Sequence, residues 1–333
     1  MYGQKCKGLL RCGAACLLAA FLCAAAPVRA AERGRMLVPV GHTIGIKLFA
    51  RGVVVVKLPD GGTPARACGL RTGDVIIACN GAAVTSAEQF QSLLQQSGGE
   101  ADLQVNRSGG SMTLSVSPQP NEEGVYCIGA WIRDSMAGIG TMTYYDPESG
   151  EFGALGHGIT DVDTALLMPF SNGSILPSTV KAVKRGEAGA AGELRGDFDL
   201  TCQLGQLYAN TSSGIFGAME PAASLGEAIP TGKARTGPAS IRANVRGDEV
   251  KEYHVEILSV SPDAPDGRNL VLSVTDPALL EATGGIVQGM SGAPLIQNGQ
   301  IVGAVTHVLL NDPTKGYGIL IDHMLEAAGS SAD

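Results

Sequence analysis

Residues 289–294 have the sequence Gly-Met-Ser-Gly-Ala-Pro, and two extended runs, 294–297 and 300–310, follow and are joined by Asn298-Gly299. Asn-Gly between apolar runs is the strongest short-range signal for a β-hairpin. A serine on a tight glycine turn lies beside backbone N–H groups that can stabilise the negative charge of an acyl-transfer intermediate. Because a strand rather than a helix follows Ser291, the stretch predicts a serine on a β-barrel and disfavours the nucleophile elbow of an α/β-hydrolase.

The remainder of residues 125–328 has the same character, and no helical period persists for long before Met324. Short apolar runs separated by glycine turns are typical of barrels and are not typical of helical bundles. The pattern therefore predicts a mainly β domain built as a barrel or a pair of barrels. The clearest further strand candidates are residues 138–144, 153–155, 164–168, 252–260 and 269–274.

A serine hydroxyl is a weak nucleophile and needs a base, for which histidine is the usual side chain. The chain has five histidines: His42, His157, His254, His307 and His323. His157 lies between Gly156 and Gly158, on a bend that leaves room for the imidazole to face a cleft. His157 is therefore the predicted general base, and His307, sixteen residues after the serine, is the alternative.

The third group is an acid that orients the imidazole. Asp276 ends a strand candidate fifteen residues before Ser291, and this spacing gives it a small advantage over the other acids of the domain. An Asp-Pro pair is also an ordinary start of a turn or helix. The backbone N–H groups of Gly289 and Ser291 form the predicted oxyanion hole. The competing acids are Asp161, Asp163, Asp197, Asp199 and Asp312.

Residues 36–118 have a different pattern, in which extended runs flank a short helical turn and one capped helix. The segment 65–81 has the form A-x-x-C-G-L-R-T-G-D-V-I-I-A-C-N-G. This segment resembles the PDZ domains of bacterial proteases, and the resemblance implies an α+β domain that binds peptides by strand addition. It also implies that Thr43, Ile44, Gly45 and Ile46 form a carboxylate-binding loop. Residues 119–124 are a polar, proline-bearing linker.

Residues 1–30 have the features of a targeting segment. Lys5, Lys7 and Arg11 precede an apolar run of about 16 residues, which is short for a membrane-spanning helix. The run predicts a cleaved signal peptide, with an uncleaved anchor as the alternative. Either form places the rest of the chain outside the cytoplasm.

Charge and cysteine spacing exclude several classes of function. Residues 1–30 contribute four cations and no anions, which leaves 20 cations against 32 anions in the rest of the chain. Such an acidic body argues against nucleic acid as a partner. Cys68, Cys79, Cys127 and Cys202 lack C-x-x-C spacing, so no zinc site and no other metal or cofactor is predicted. Buried thiols are favoured over a Cys68–Cys79 disulfide.

The whole chain resembles the SpoIVB (stage IV sporulation protein B) peptidases, which are chymotrypsin-like serine endopeptidases with a PDZ domain. The residues that carry the resemblance are 155–161, 275–276, 285–294, 303–308 and 311–318. The resemblance implies a double β-barrel and a catalytic triad of His157, Asp276 and Ser291.

The same resemblance implies a signalling protease of endospore formation, exported across the forespore membrane into the intermembrane space. Such a protease cleaves itself and then a membrane-bound regulator of an intramembrane protease that activates a sigma factor. Self-cleavage near the N-terminus would release the chain from the membrane. The alternatives are an inactive PDZ scaffold and a serine esterase.

Overall fold

The glycine-punctuated runs form strands in the computed structural model, which describes residues 34–220 and 225–331. The predicted targeting segment, residues 1–30, lies outside the described residues. No helix in the described part of the chain is long and apolar enough to cross a membrane. Met36–Asp333 form one compact unit.

The described residues contain 21 strands and four helices. The helices are α1 (Pro64–Ala67), α2 (Ala87–Gln96), α3 (Pro277–Thr283) and α4 (Ile321–Gly329). The strands are β1 (Met36–Pro39), β2 (Thr43–Lys57), β3 (Val75–Cys79), β4 (Ala82–Ala83), β5 (Ala101–Arg107), β6 (Gly110–Val116), β7 (Gln119–Pro120), β8 (Tyr126–Cys127), β9 (Trp131–Tyr145), β10 (Glu151–Ala154), β11 (Phe170–Lys184), β12 (Glu193–Phe198), β13 (Gly205–Thr211), β14 (Gly214–Met219), β15 (Ile229–Pro230), β16 (Gly237–Arg246), β17 (Glu249–Val260), β18 (Leu270–Val274), β19 (Pro294–Gln297), β20 (Gln300–Val308) and β21 (Lys315–Leu320).

Six strands close into a first barrel in the order β2-β9-β10-β14-β13-β11. Closure follows from β2, which pairs with β9 along one edge and with β11 along the other. Ile46, for example, lies opposite Gly138 of β9 and Ile175 of β11. Alternate residues of these strands point inward, as the period of a strand requires, and they form an apolar core that includes Ile44, Phe152 and Ile215.

A second closed barrel follows in the order β16-β17-β18-β21-β20-β19. The predicted hairpin is present, because β19 and β20 pair antiparallel across Asn298-Gly299, with Gln297 opposite Gln300. Both turn residues have positive φ, +51° for Asn298 and +73° for Gly299, as a type I′ turn requires. The predicted double barrel with an additional PDZ-like module is therefore confirmed.

The PDZ-like module consists of the second half of β2 together with β3, β5 and β6, and α2 packs on its core. Ser86 caps α2 by accepting a hydrogen bond from the Gln89 N–H. Asp74 is buried and is held by the Arg107 guanidinium at 2.7 Å. This ion pair thus joins Asp74, in the turn that precedes β3, to the end of β5.

The boundary between the module and the peptidase differs from the predicted one. Sequence patterns assigned residues 36–118 to the PDZ-like domain, but β1 and the first half of β2 pair with β9 and β11 of the first barrel. Only from Val53 onward does β2 pair with β3 of the module. The physical reason is the length of β2, whose 15 residues extend through both sheets.

Candidate active site

Ser291 and His157 line one cleft between the two barrels, with a volume of about 900 Å³. Ser291 lies in the turn between α3 and β19 of the second barrel, and His157 follows β10 of the first barrel. The walls are mainly apolar and come from both barrels. They include Ile46, Met136, Ile139, Leu155, Ile286, Val308, Leu309 and Tyr317.

The His157 imidazole is held by its own loop. Nδ1 lies 2.9 Å from the carbonyl oxygen of Gly158. Because a carbonyl oxygen only accepts, Nδ1 carries the proton and Nε2 is the basic nitrogen. Burial lowers the pKa of His157 below its ordinary value, although the bond to Gly158 acts in the opposite direction. The ring is therefore neutral at pH 7, as a general base must be.

Glycine on both sides of His157 has a steric reason. Gly156 has a φ of +69°, and a Cβ there would approach Ile319 of β21 to 2.9 Å. A Cβ at Gly158 would overlap the Leu167 side chain and the Thr211 carbonyl. The two glycines thus let the histidine loop pass between the second barrel and the first. This close approach brings the imidazole to the cleft that Ser291 lines.

The Ser291 hydroxyl donates a 2.6 Å hydrogen bond to the Thr306 carbonyl on β20. Oγ is therefore bonded to the backbone of the second barrel, in the same cleft that His157 lines. A rotation of the hydroxyl away from Thr306 is needed before Nε2 of His157 can take its proton.

The two predicted oxyanion donors are free. Among the described residues, neither the Gly289 N–H nor the Ser291 N–H donates a hydrogen bond. The carbonyls of the same two peptide units are occupied: Gln288 O accepts from Leu194 N at 2.8 Å, and Met290 O accepts from Ala293 N at 2.9 Å. Since N–H and C=O point in opposite directions across a trans peptide, these bonds orient the Gly289 N–H away from Leu194 of β12 and the Ser291 N–H away from Ala293.

Comparison with known proteins agrees with this geometry. Residues 124–325, which are more than half of the chain, match the SpoIVB peptidase S55 family, and residues 55–107 match a PDZ domain. The chain belongs to the SpoIVB peptidase S55 family. It is therefore a serine endopeptidase, a hydrolase of peptide bonds.

Solved structures resemble parts of this S55 peptidase at low identity. The PDZ domain of an SdrC-like protein from Listeria monocytogenes is 21% identical over 25% of this chain and 87% of its own, with a TM-score of 0.23. The Rv3671c protease of M. tuberculosis is 15% identical in an inactive form, over 59% of this chain and 85% of its own, with a TM-score of 0.33. Its active form is 14% identical over 59% and 74%, with a TM-score of 0.30. No curated protein matches the chain.

His307 is a further site residue of this S55 peptidase. Its ring lies over that of His157, with 4.8 Å between ring centroids and an interplanar angle of 36°. Burial lowers the pKa of His307 to about 4, and the neighbouring His157 and Arg268 contribute in the same direction. The sequence predicted His307 only as the alternative base, and the packing of the two barrels shows that its ring contacts that of His157.

Asp276 is placed away from the imidazole. Its carboxylate caps α3 by accepting from Ala278 N at 2.9 Å and Leu279 N at 3.1 Å, and from His254 N at 3.2 Å. Burial raises the pKa of this carboxyl, but the three N–H groups lower it below its ordinary value. Asp276 does not line the cleft. Its role as the orienting acid stays a prediction.

Asp161 and Asp163, the alternative acids nearest to His157 in sequence, both form ion pairs with Arg133. Asp161 is buried and forms an ion pair with Arg133, whose guanidinium also contacts Asp163 at 2.9 Å. Burial raises the pKa of Asp161, whereas hydrogen bonds from Thr164 and Arg133 lower it, and the net direction is downward. Arg133 thus fixes the loop that follows His157, and neither carboxylate holds the imidazole.

The predicted carboxylate loop requires a correction. Thr43, Ile44, Gly45 and Ile46 lie within β2, paired on one edge with β9 and, from Ile44, on the other with β11. Thr43 donates a 2.6 Å hydrogen bond to Asn244 of the second barrel. An arriving peptide strand needs an unpaired edge, and this segment has none.

Within residues 34–220 and 225–331, no group of three or more His, Cys, Asp or Glu residues could hold a metal ion. Cys68, Cys79, Cys127 and Cys202 are free thiols, and Cys79 is buried in the core of the PDZ-like module.

Proposed function

We propose that this serine endopeptidase uses Ser291 as nucleophile and His157 as general base, and that it acts as a signalling protease in endospore formation. The observation that supports the proposal is that these two side chains line the same inter-barrel cleft, beside two N–H groups that donate no hydrogen bond among the described residues. The family assignment supports the signalling role.

In the proposed reaction, the Ser291 hydroxyl leaves the Thr306 carbonyl and attacks a peptide carbonyl carbon. Nε2 of His157 accepts the hydroxyl proton and then delivers it to the leaving amine. The N–H groups of Gly289 and Ser291 bind the oxyanion, and one such donor is worth about 100- to 1,000-fold in kcat. Water then hydrolyses the acyl-enzyme with His157 again as base.

The proposed substrates are two proteins: the chain itself, near its N-terminus, and a membrane-bound regulator of an intramembrane protease that activates a sigma factor. Before self-cleavage, residues 1–30 hold the chain at the forespore membrane, on its intermembrane side. The apolar cleft walls fit an extended peptide with apolar side chains near the bond that is cut. The PDZ-like module takes part by presenting or restraining peptide segments.

A serine-directed fluorophosphonate tests the chemistry. We expect wild-type protein to be labelled at Ser291 and Ser291→Ala to be unlabelled. Equal labelling of both proteins, or no labelling of wild type, would exclude the proposed nucleophile and favour an inactive scaffold with a PDZ-like module.

The mass of the mature protein tests self-cleavage. In sporulating cells, wild type should yield a chain that self-cleavage has shortened at its N-terminus. Ser291→Ala should yield the longer chain that exists before self-cleavage. The same mass for both proteins would show that processing is due to another enzyme.

A further inference from the structure

Thr141 of β9 connects the two catalytic loops through three hydrogen bonds. Its Oγ1 donates to Gly289 O at 2.7 Å, and its N–H donates to Ser291 O at 2.9 Å. Its own carbonyl accepts from Leu155 N at 3.2 Å, two residues before the general base. Thr141 itself is only 1% exposed, so its hydroxyl is shielded from bulk water.

Two of the bonds from Thr141 bind carbonyls in the loop of residues 288–291, which contains the nucleophile. The carbonyls of Gln288 and Met290 are held by Leu194 and Ala293, as described above. Thr141 holds the two remaining carbonyls, those of Gly289 and Ser291. All four successive peptide units from residue 288 to 291 therefore have their carbonyls bound, while the N–H groups at 289 and 291 stay free.

The Thr141 hydroxyl binds the carbonyl of Gly289, a glycine whose backbone is conformationally permissive. Gly289 has a φ of +97°, and glycine permits rotations of its flanking peptides that other residues resist. The approach is close, because a Cβ at Gly292 would overlap the Thr141 carbonyl. A loop of the second barrel is thus held in its orientation by one residue of the first.

We propose that Thr141 is a positioning residue: its hydroxyl holds the Gly289 carbonyl so that the oxyanion hole keeps its catalytic geometry. The proposal rests on the proposed roles of Ser291 and of the Gly289 and Ser291 N–H groups. Removing the hydroxyl leaves the half-buried Gly289 carbonyl without its donor. The peptide that follows Gly289 is then held only at its other end, where Met290 N donates to Val287 O at 3.1 Å.

The test measures inactivation by a fluorophosphonate, whose phosphoryl oxygen enters the oxyanion hole as Ser291 attacks phosphorus. Thr141→Val removes the hydroxyl and keeps the shape of the side chain. We expect the limiting inactivation rate to fall about 10- to 100-fold, with the concentration for half-maximal rate changed less than about threefold, because the contact forms in the transition state. Thr141→Ser keeps the donor and should restore the rate to within about threefold of wild type.

Thr143→Val is the matched control. Thr143 lies two residues along the same strand and is equally buried, but its hydroxyl has no hydrogen-bond partner among the described residues. We expect this variant to react at the wild-type rate. Equal limiting rates for Thr141→Val and Thr143→Val, in a wild type that is labelled, would overturn the positioning role. A wild type that is not labelled would instead refute the proposed nucleophile.

Thermal unfolding of each variant separates positioning from general damage. Should Thr141→Val fail to fold, Thr141→Ser and Thr141→Cys decide the question, because a thiol is a much weaker donor than a hydroxyl. We expect the cysteine variant to inactivate more slowly than the serine variant, and equal rates would again overturn the proposal.

Discussion

At the scale of single residues, the site depends on an imidazole that stays neutral. His157 is desolvated between the barrels, its Nδ1 proton is held by Gly158, and the ring of His307 covers it. Burial disfavours the charged ring, so protonation requires a more acidic solution than for a histidine in water. His157 is therefore in its neutral, proton-accepting form at neutral pH.

The pH dependence follows from the lowered pKa of His157. Activity requires the neutral base and is lost when the ring is protonated, so the midpoint of the loss lies below the ordinary histidine pKa of about 6.5. We expect the rate of fluorophosphonate inactivation to fall in acidic buffer, with its half-maximal value below about pH 6.5. His307→Phe, which keeps a ring over His157, should keep this acidic limb below pH 6.5. A limb centred at pH 7 or above would contradict the desolvated base.

Asp276→Asn tests the orienting acid. Asparagine is a good helix N-cap, so α3 should be retained and the fold left intact. Because the carboxylate is engaged by three backbone N–H groups and Gly158 holds the imidazole, the structure predicts a fall in the inactivation rate of less than about tenfold. A fall of several orders of magnitude, as for loss of a triad acid, would establish Asp276 as the orienting group.

At the scale of elements, β2 determines how the parts of the molecule are joined. Its first half closes the first barrel, and its second half begins the sheet of the PDZ-like module. Thr43, at its start, donates to Asn244 of β16 in the second barrel. One strand thus contacts all three parts of the described chain.

Thr43→Val should destabilise the protein. The substitution leaves Oδ1 of Asn244 buried without its donor, which costs about 1–3 kcal/mol in the free energy of unfolding. Urea unfolding should show this loss. Thr143→Val should change the free energy of unfolding by less, because the Thr143 hydroxyl forms no hydrogen bond among the described residues. If Thr43→Val instead leaves stability unchanged and weakens the binding of free C-terminal peptides, the original assignment of a carboxylate loop is correct.

At the scale of the whole molecule, the two barrels enclose the site, and neither holds it alone. The base comes from the first barrel, the nucleophile comes from the second, and Thr141 bonds them together. The first barrel in turn requires β2, which precedes the PDZ-like module in the sequence. The module is therefore inserted between two strands of the peptidase.

A fragment of residues 119–333 tests this arrangement. It contains the predicted linker and peptidase domain, but it lacks β1 and β2, so β9 and β11 would be left as open edges. We expect no cooperative thermal unfolding and no fluorophosphonate labelling of this fragment, whereas residues 34–333 should show both. A folded, labelled fragment would show that the peptidase closes without the strand.

The sequence by itself determined what depends on neighbouring residues. The Asn298-Gly299 turn, the capped helix α2 and the glycines around His157 all follow from local φ preferences and short hydrogen bonds, and all are present. Alternating apolar and polar residues fixed the buried face of β5 and of β17. The motif at residues 289–294 predicted the two free N–H groups from the order of residue types alone.

Tertiary structure decided which strands pair and which side chains meet. The resemblance to PDZ domains predicts a carboxylate loop at Thr43–Ile46, but it does not state whether the edges of this segment are free or paired. Spacing and the family resemblance both favour Asp276, yet its carboxylate accepts from three backbone N–H groups. The bonds from Thr141 and the ring of His307 join residues about 150 positions apart in sequence. Only the closing of two barrels against each other brings such residues within hydrogen-bonding or van der Waals distance.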